Sequence, residues 1–208
     1  MAFPRAEVLR EKGRAVIAHA TGSRTAPISA RLINFSAILN ESVEPNVSEG
    51  YDIFLSHSYK DKFLVAGLRE AIKEAGFSIY VDWIDDPQLD RTNVTREAVE
   101  LIRTRMTYCK SMIYAFSDNA VSSMWMPWEL GFMDGVKERV AIMQVNEEVE
   151  GDTINYQGRE YLSLYNIADF FGRGLWVNGY DRNGTITYSQ WLTGMNPARD
   201  RNKLYIET

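Results

Sequence analysis

The chain alternates short apolar runs with longer stretches in which apolar residues recur at helical spacing. The apolar runs lie at 51–55, 77–81, 112–116, 139–145 and 175–177, and the helical stretches lie at 62–75, 93–106, 127 onward and 188–195. Strands that alternate with helices are typical of βαβ units, because parallel strands need a crossover connection and a helix usually supplies it. Right-handed crossovers place these helices on both faces of the sheet. The sequence therefore predicts a flavodoxin-like α/β fold of three layers around a central five-stranded parallel sheet.

The first part of the chain differs from this pattern. Residues 6–20 can form a helix with a weak apolar face, and a second apolar patch at 28–39 predicts another helix. A polar stretch with a proline and a glycine, residues 40–50, is typical of a linker. We therefore expect a helical N-terminal extension and linker at 1–49, followed by the main domain at 50–208. The remaining segments are predicted as two polar loops and one short helix, at 84–92, 146–158 and 161–171.

Composition limits the classes of partner and compartment. The net charge is −5 and there is no basic run, so nucleic acid is not the expected partner. Cys109 is the only cysteine, which excludes an internal disulfide and fits a reducing compartment. No apolar stretch reaches the ~18 residues of a membrane span, and no signal peptide is visible. With two histidines and one cysteine, no metal site is predicted. We expect a soluble cytoplasmic protein.

Polar or aromatic residues follow the first three predicted strands. Ser56-His57 follows the first strand, Asp82-Trp83 the second and Ser117 the third, and the helix that bears Glu129 begins soon afterwards. The carboxyl ends of parallel strands share one rim of the sheet, and ligands bind at that rim in open α/β folds. The convergence of these four segments, more than any one motif, predicts a site.

Glu129 lies in the stretch 122–131, which connects the third strand to its helix. Pro127 suits the first helical position because its fixed φ favours a helix start. Glu129 is then expected in the first turn, flanked by Trp125 and Trp128. A purely structural explanation also exists, since acidic residues favour helix N-termini and tryptophans often belong to the core.

Several common chemistries are excluded by the residues at these positions. No glycine-rich loop follows the first strand, so the sequence has neither a P-loop nor a dinucleotide fingerprint. The acids and the lysine of a phosphoacceptor receiver are absent from the strand ends. A Ser–His–acid triad would need His57 as its base, but no nucleophile-elbow sequence accompanies it.

A single carboxylate among aromatic rings suits cleavage of the bond between nicotinamide and ribose. The leaving group is a neutral pyridine that departs from a pyridinium, so it needs no general acid, unlike an ordinary glycoside. One glutamate can bind the ribose hydroxyls and oppose the positive charge that develops on the sugar. Aromatic faces can hold the flat rings of the substrate.

The sequence resembles the toll/interleukin-1 receptor (TIR) domain family, especially its bacterial members. The stretch 51–58 followed by Lys60-Asp61-Lys62 is similar to the first box of that family, and 76–82 is similar to its second strand. The loop at 83–92 resembles the BB loop of TIR domains. Ser122-Ser123-Met124-Trp125 leading to Trp128-Glu129-Leu130 resembles the segment that bears the family's catalytic glutamate. The resemblance covers roughly residues 50–200.

This resemblance implies a flavodoxin-like TIR fold and NAD+ as a substrate, with no resident cofactor. Glu129 would be the catalytic residue, with six further residues lining the pocket: Ser56, His57, Asp82, Trp83, Ser122 and Trp125. The sequence around Glu129 looks like that of the TIR subunits of Thoeris-type antiphage systems, which make a cyclic ADP-ribose signal for a separate effector. Homotypic TIR self-association is also implied. The N-terminal extension and the 146–158 insert depart from a minimal TIR domain.

Three functional hypotheses remain open at this stage. The first is an NAD+ glycohydrolase or ADP-ribosyl cyclase, and an enclosed site lidded by the 83–92 loop would favour cyclisation over hydrolysis. The second is a non-catalytic TIR–TIR adaptor that binds through the same loop. The third is a nucleoside deoxyribosyltransferase-like N-glycosidase, in which Glu129 would attack the sugar.

Overall fold

The computed structural model describes residues 6–21, 50–86, 94–145, 156, 158–181 and 183–197. Its helices and strands follow the predicted alternation as far as β4. In chain order they are α1 (Ala6–Thr21), β1 (Tyr51–Ser56), α2 (Lys62–Glu74), β2 (Ile79–Tyr80), α3 (Asp82–Asp85), α4 (Arg96–Tyr108), β3 (Cys109–Phe116), α5 (Trp125–Lys137), β4 (Val140–Gln144), β5 (Asn166–Phe171), β6 (Gly174–Asn178), β7 (Thr185–Thr187) and α6 (Tyr188–Leu192). Short 3-10 helices lie at Tyr59–Asp61, Ala120–Ser122 and Glu160–Leu164.

The sheet is larger than predicted and is mixed. Seven strands lie in the order β2-β1-β3-β4-β5-β6-β7, so the predicted number of five is wrong. The expectation that all strands are parallel is also wrong, because β5, β6 and β7 pair antiparallel. The α/β class and a mostly parallel sheet are confirmed, and they are compatible with a flavodoxin-like TIR fold. None of the described helices is both long and apolar enough to cross a membrane.

The chain divides into two compact units. The first, here called the helix-pair unit, takes its residues from Glu7–Leu55 and Lys62–Lys110. The second, here called the glutamate unit, takes them from Met1–Ala6, Ser56–Asp61 and Ser111–Thr208. The boundary between residues 49 and 50 stays a prediction. The patch at 28–39 lies outside the described residues.

In the helix-pair unit, β1 and β2 pair in parallel and α1 crosses α2 at unusually short range. Ile53 is in register with Ile79 across the strand pair. At the crossing, a Cβ on Gly13 would lie 1.9 Å from the Phe63 carbonyl oxygen, and a Cβ on Gly67 would lie 1.9 Å from the Leu9 carbonyl oxygen. Backbone therefore meets backbone, and only glycine allows this approach. The predicted N-terminal helix thus packs on the helix that follows β1.

In the glutamate unit, β3, β4 and β5 are parallel, whereas β5, β6 and β7 form an antiparallel ribbon. The short helix predicted at 161–171 is wrong for its second half, which is β5. The physical reason is the turn at Gly172-Arg173, where Gly172 has a φ of 60°. A two-residue turn of this kind joins antiparallel strands directly. It also makes the predicted fifth strand, 175–177, the antiparallel partner β6.

One face of this ribbon lines a cavity of about 230 Å³. Asp169 lies in its wall together with Phe171 and Trp176, and the Asp169 carboxylate accepts a hydrogen bond from the Phe170 backbone N–H at 2.7 Å. Only 3% of Asp169 is exposed, and this burial raises the pKa of its carboxyl to about 6. The charge of Asp169 is therefore unfavourable to the folded state at neutral pH.

We predict that Gly67→Ala lowers the free energy of unfolding by about 3 kcal/mol, because the new methyl group clashes with a carbonyl and forces α1 away from α2. Gly135→Ala is the matched control. A Cβ at Gly135, in α5, meets no atom within 4 Å, so alanine there should raise the free energy of unfolding by ~0.5–1 kcal/mol. Denaturant unfolding measures both. Equal effects of the two substitutions would contradict the close helix crossing.

A pH-dependent prediction follows from Asp169. Its pKa is raised in the folded state above the ~3.9 of an unfolded aspartate, so its contribution to stability is full below about pH 4 and is lost as the pH rises through about 6. Asp169→Asn has no carboxyl group to ionise, so it does not suffer this loss of stability. We expect the free energy of unfolding of the variant, relative to that of wild type, to be about 2 kcal/mol higher at pH 7.5 than at pH 4. Denaturant unfolding at both pH values measures it. A stability difference that is the same at both pH values would refute the assignment.

Candidate active site

The helix α5 begins earlier than its proline indicates. Met124 is the N-cap and Trp125 the first helical residue, so Pro127 is third and Glu129 fifth. The prediction that Pro127 opens the helix is wrong because the first four N–H groups of any helix have no intrahelical acceptor, and proline costs no hydrogen bond at the third position either. The buried face of α5 consists of residues at helical spacing: Met126, Glu129, Leu130 and Met133. Glu129 is therefore the one charged member of an apolar stripe.

The Glu129 carboxylate is entirely buried and is held by the end of β1. The Ser56 hydroxyl donates a hydrogen bond to Glu129 Oε2 at 2.6 Å, and the exposed fraction of Glu129 is 0%. A buried carboxylate is costly unless donors compensate it, and a charge-assisted bond of this length is among the stronger ones in proteins. Because the carboxylate is covered, a ribose can reach it only after the covering groups move.

A turn at 117–123 leads from β3 into α5, and Asp61 holds its first half. The Asp61 carboxylate accepts hydrogen bonds from the Ser117 hydroxyl at 2.5 Å and from Asn119 Nδ2 at 2.7 Å. The Ser117 hydroxyl in turn accepts from the Ala120 N–H at 3.2 Å. Asp61 is only 6% exposed, so these donors compensate a buried charge. The loop after β1 thus fixes the loop after β3.

The predicted pocket residues of this unit have different surroundings. Ser56 and His57 are buried at the end of β1. Ser122 is exposed, and its hydroxyl donates to the Asn119 carbonyl at 3.0 Å. Trp125 is half-buried and meets Trp128 edge-to-face, with ring centroids 5.6 Å apart. Ser56 is thus brought into contact with Glu129, while Ser122 and Trp125 lie on the segment that leads to it.

Asp82 and Trp83 belong to the helix-pair unit, where both are buried in α3. Lys62 Nζ lies 5.5 Å from the centroid of the Trp83 ring. The end of α3 is fixed by Asp86, whose carboxylate accepts two hydrogen bonds from Arg105, at 2.7 and 2.8 Å, and one from the Tyr80 hydroxyl at 2.7 Å. Their role in a pocket with Glu129 stays a prediction. Residues 87–92 of the predicted lid loop lie outside the described residues.

Two further residues, Tyr114 in β3 and Arg159 beside the turn at 117–123, were not predicted. Tyr114, in β3, is 0% exposed, and its hydroxyl has no hydrogen-bond partner among the described residues. Burial raises the pKa of Tyr114 to about 12, the charge of Arg159 acts in the opposite direction, and the Glu129 carboxylate adds to the rise. Arg159 also contacts the turn at 117–123. Neither residue belongs to a recognisable motif, and Arg159 is distant in sequence from Glu129.

Within the described residues, no group of three or more His, Cys, Asp or Glu side chains is placed to hold a metal ion. The arrangement around Glu129 is instead a single carboxylate with hydroxyl donors and aromatic rings in adjacent segments. Such a site can stabilise positive charge on a sugar and bind its hydroxyls.

Comparison with known proteins places the chain in a family. It is 45% identical over 148 residues to a protein of Bacillus cereus (strain MSX-D12) named "Probable 3' cyclic ADP-D-ribose synthase ThsB'", covering 68% of this chain and 75% of the relative. It is 29% identical over 103 residues to "Putative cyclic ADP-D-ribose synthase TIR2" of Cytobacillus dafuensis, covering 49% of this chain and 27% of the relative. No protein-family model matches the chain. The chain belongs to the bacterial TIR proteins of the Thoeris type, which confirms the resemblance seen in the sequence.

We predict unequal effects on stability for two hydroxyl deletions at this site. Ser56→Ala removes a hydrogen bond from the buried Glu129 carboxylate, so the free energy of unfolding should fall by about 2 kcal/mol. Tyr114→Phe removes a buried hydroxyl with no described hydrogen-bond partner, so stability should stay the same or rise by up to ~1 kcal/mol. Denaturant unfolding of the two variants measures both effects. A larger fall in the free energy of unfolding for Tyr114→Phe than for Ser56→Ala would show that the contacts are wrongly assigned.

Proposed function

We propose that this protein cleaves the bond between nicotinamide and ribose in NAD+ and closes the remaining ADP-ribose into a cyclic signal for antiphage defence. The observation that carries the proposal is the buried Glu129 carboxylate, which accepts a hydrogen bond from Ser56 at 2.6 Å. The names of both relatives, cyclic ADP-ribose synthases, support the same chemistry. NAD+ is the substrate in this proposal, and no resident cofactor is needed.

In the proposed reaction, the bond from the nicotinamide nitrogen to ribose C1′ breaks and its electron pair stays on the nitrogen. Nicotinamide leaves as a neutral molecule, so no proton donor is required. Positive charge develops on the ribose ring, and the Glu129 carboxylate stabilises it because opposite charges attract strongly where water is excluded. The Ser56 hydroxyl holds the carboxylate in one orientation, which keeps the cost of reorganisation low.

Ring closure requires a hydroxyl oxygen of the same ADP-ribose to attack C1′ and lose its proton. A new C–O bond forms, and the proton passes to Glu129 or to solvent. Water attacking the same carbon would give hydrolysis instead, so the outcome depends on which nucleophile reaches C1′. Closure of the site over the bound substrate would keep bulk water from C1′ and so favour cyclisation.

The other predicted pocket residues complete the proposal. Ser56, His57, Ser122 and Trp125 would line the substrate site, and the family resemblance implies the same role for Asp82 and Trp83. We further propose homotypic TIR self-association and a separate effector that senses the cyclic product. The family resemblance supports self-association. A diffusible cyclic product would act through a separate protein that binds it.

The test is nicotinamide release from NAD+ by wild type, by Glu129→Gln and by the control Glu160→Gln. Glutamine keeps the size of the side chain but removes its charge, so Glu129→Gln should lose at least about 10²-fold in kcat. Glu160 is exposed and belongs to the 3-10 helix at Glu160–Leu164, so its substitution should leave the rate unchanged. Retained folding of both variants is checked by thermal unfolding.

Mass spectrometry of the products separates the alternatives. A product with the mass of ADP-ribose less one water indicates cyclisation, and ADP-ribose itself indicates hydrolysis. Full activity of Glu129→Gln would remove the proposed role of that residue. Binding to a second TIR domain with no NAD+ turnover under any condition would favour the adaptor hypothesis, and base exchange between deoxynucleosides would favour a deoxyribosyltransferase.

A further inference from the structure

The turn at 117–123 is held at its second half as well as its first. Arg159 Nη2 donates a hydrogen bond to the Val121 carbonyl at 2.6 Å and a longer one to the Ser123 carbonyl at 3.5 Å. Its other terminal nitrogen, Nη1, donates to the Tyr161 hydroxyl at 3.2 Å. Asp61 holds Ser117 and Asn119 at the opposite end of the turn. An anion therefore fixes one end and a cation fixes the other.

The contact of Arg159 continues into the helix that bears Glu129. Ser123, whose carbonyl faces Arg159, accepts a hydrogen bond at its side-chain oxygen from the Met126 N–H at 3.3 Å. Met126 is buried and lies one residue before Pro127 in the first turn of α5. Glu129 follows three residues later on the same buried face. The position of the turn thus determines where the helix starts and how its carboxylate is directed.

The backbone around Arg159 is itself fixed, so the guanidinium is presented from a defined point. The Arg159 N–H donates to the Tyr156 carbonyl at 3.0 Å, and the Arg159 carbonyl accepts from the Leu162 N–H at 2.9 Å. Tyr156 contacts Phe116, at the end of β3, with ring centroids 5.6 Å apart. These contacts tie the segment that bears Arg159 to the strand from which the turn departs.

We propose that Arg159 is a positioning residue for the Glu129 site, which it serves by holding the Val121 and Ser123 carbonyls and hence the start of α5. This inference rests on the proposed function for its effect on turnover, but not for its effect on the turn. A planar guanidinium can reach two carbonyls and a phenol at once, whereas a lysine ammonium can satisfy only part of this set. Arginine is therefore required at position 159, and not merely a positive charge.

The kinetic test compares Arg159→Met, Arg159→Lys and the control Arg173→Met in NAD+ turnover. Arg159→Met should lower kcat/KM by roughly tenfold or more, mostly through kcat, because small displacements of a catalytic group cost rate out of proportion to distance. Arg159→Lys should recover part of this loss. Arg173 is exposed in the turn between β5 and β6, so Arg173→Met should match wild type. Values of kcat/KM within about twofold of wild type for Arg159→Met would overturn the proposal.

Hydrogen exchange measured by mass spectrometry gives a readout that does not depend on turnover. The Ser123 N–H donates to the Ala120 carbonyl at 3.0 Å, so its exchange reports on the turn, and that of Met126 reports on the helix start. Both should exchange faster in Arg159→Met and Arg159→Lys, with the rest of the glutamate unit unchanged. Faster exchange throughout the unit would indicate a general structural role and overturn the proposal.

The two proposals fail in different ways. Wild type that releases no nicotinamide rejects the proposed function, and the exchange experiment then still decides whether Arg159 holds the turn. Active wild type with unchanged Arg159 variants rejects the positioning role alone. If Arg159→Met does not fold, Arg159→Lys is compared with wild type in both NAD+ turnover and hydrogen exchange. Tyr161→Phe removes only the phenol acceptor and leaves both carbonyl contacts possible, so a loss of turnover as large as that of Arg159→Met would also overturn the proposal.

Discussion

The bond between the Ser56 hydroxyl and the Glu129 carboxylate is the interaction on which the account of the site depends. It joins the last residue of β1 to the buried face of α5, two segments that are 73 residues apart in sequence. A carboxylate with no exposed surface is tolerated only if nearby groups compensate its charge. The fold accepts this cost in the middle of an otherwise apolar helix face, where Met or Leu would pack without penalty. Buried ionisable groups of this kind are frequent at functional sites.

The segment that leads to Glu129 is organised by charge at both ends. Asp61 receives hydroxyl and amide donors from the first half of the turn, and Arg159 donates to backbone carbonyls of the second half. The two side chains use the polar groups that the turn would otherwise leave without partners. Side chains from two other segments thus fix the turn that leads to Glu129.

Much of the central sheet could be predicted because its strands are apolar runs bounded by turn residues, and β1, β3 and β4 follow those runs closely. The antiparallel ribbon was missed because Asn166–Phe171 is a short run that fits either a strand or a helix by periodicity. The close crossing of α1 and α2 was also not predicted, since a glycine inside a helical pattern does not reveal what approaches it. Only the folded chain brings Gly13 and Gly67 together.

For the site, the sequence indicated Glu129 because it lies near the start of the helix after the third strand, and it indicated Ser56 because this residue ends the first strand. Both positions belong to the rim that the carboxyl ends of parallel strands share. It could not indicate the roles of Arg159 and Asp61, because these roles come from long-range hydrogen bonds to the turn at 117–123. A crystal structure of Glu129→Gln soaked with intact NAD+ tests most directly whether Glu129 faces the ribose. We expect the nicotinamide ribose hydroxyls about 3 Å from the side chains at positions 129 and 56. NAD+ bound elsewhere, with position 129 still covered, would contradict it.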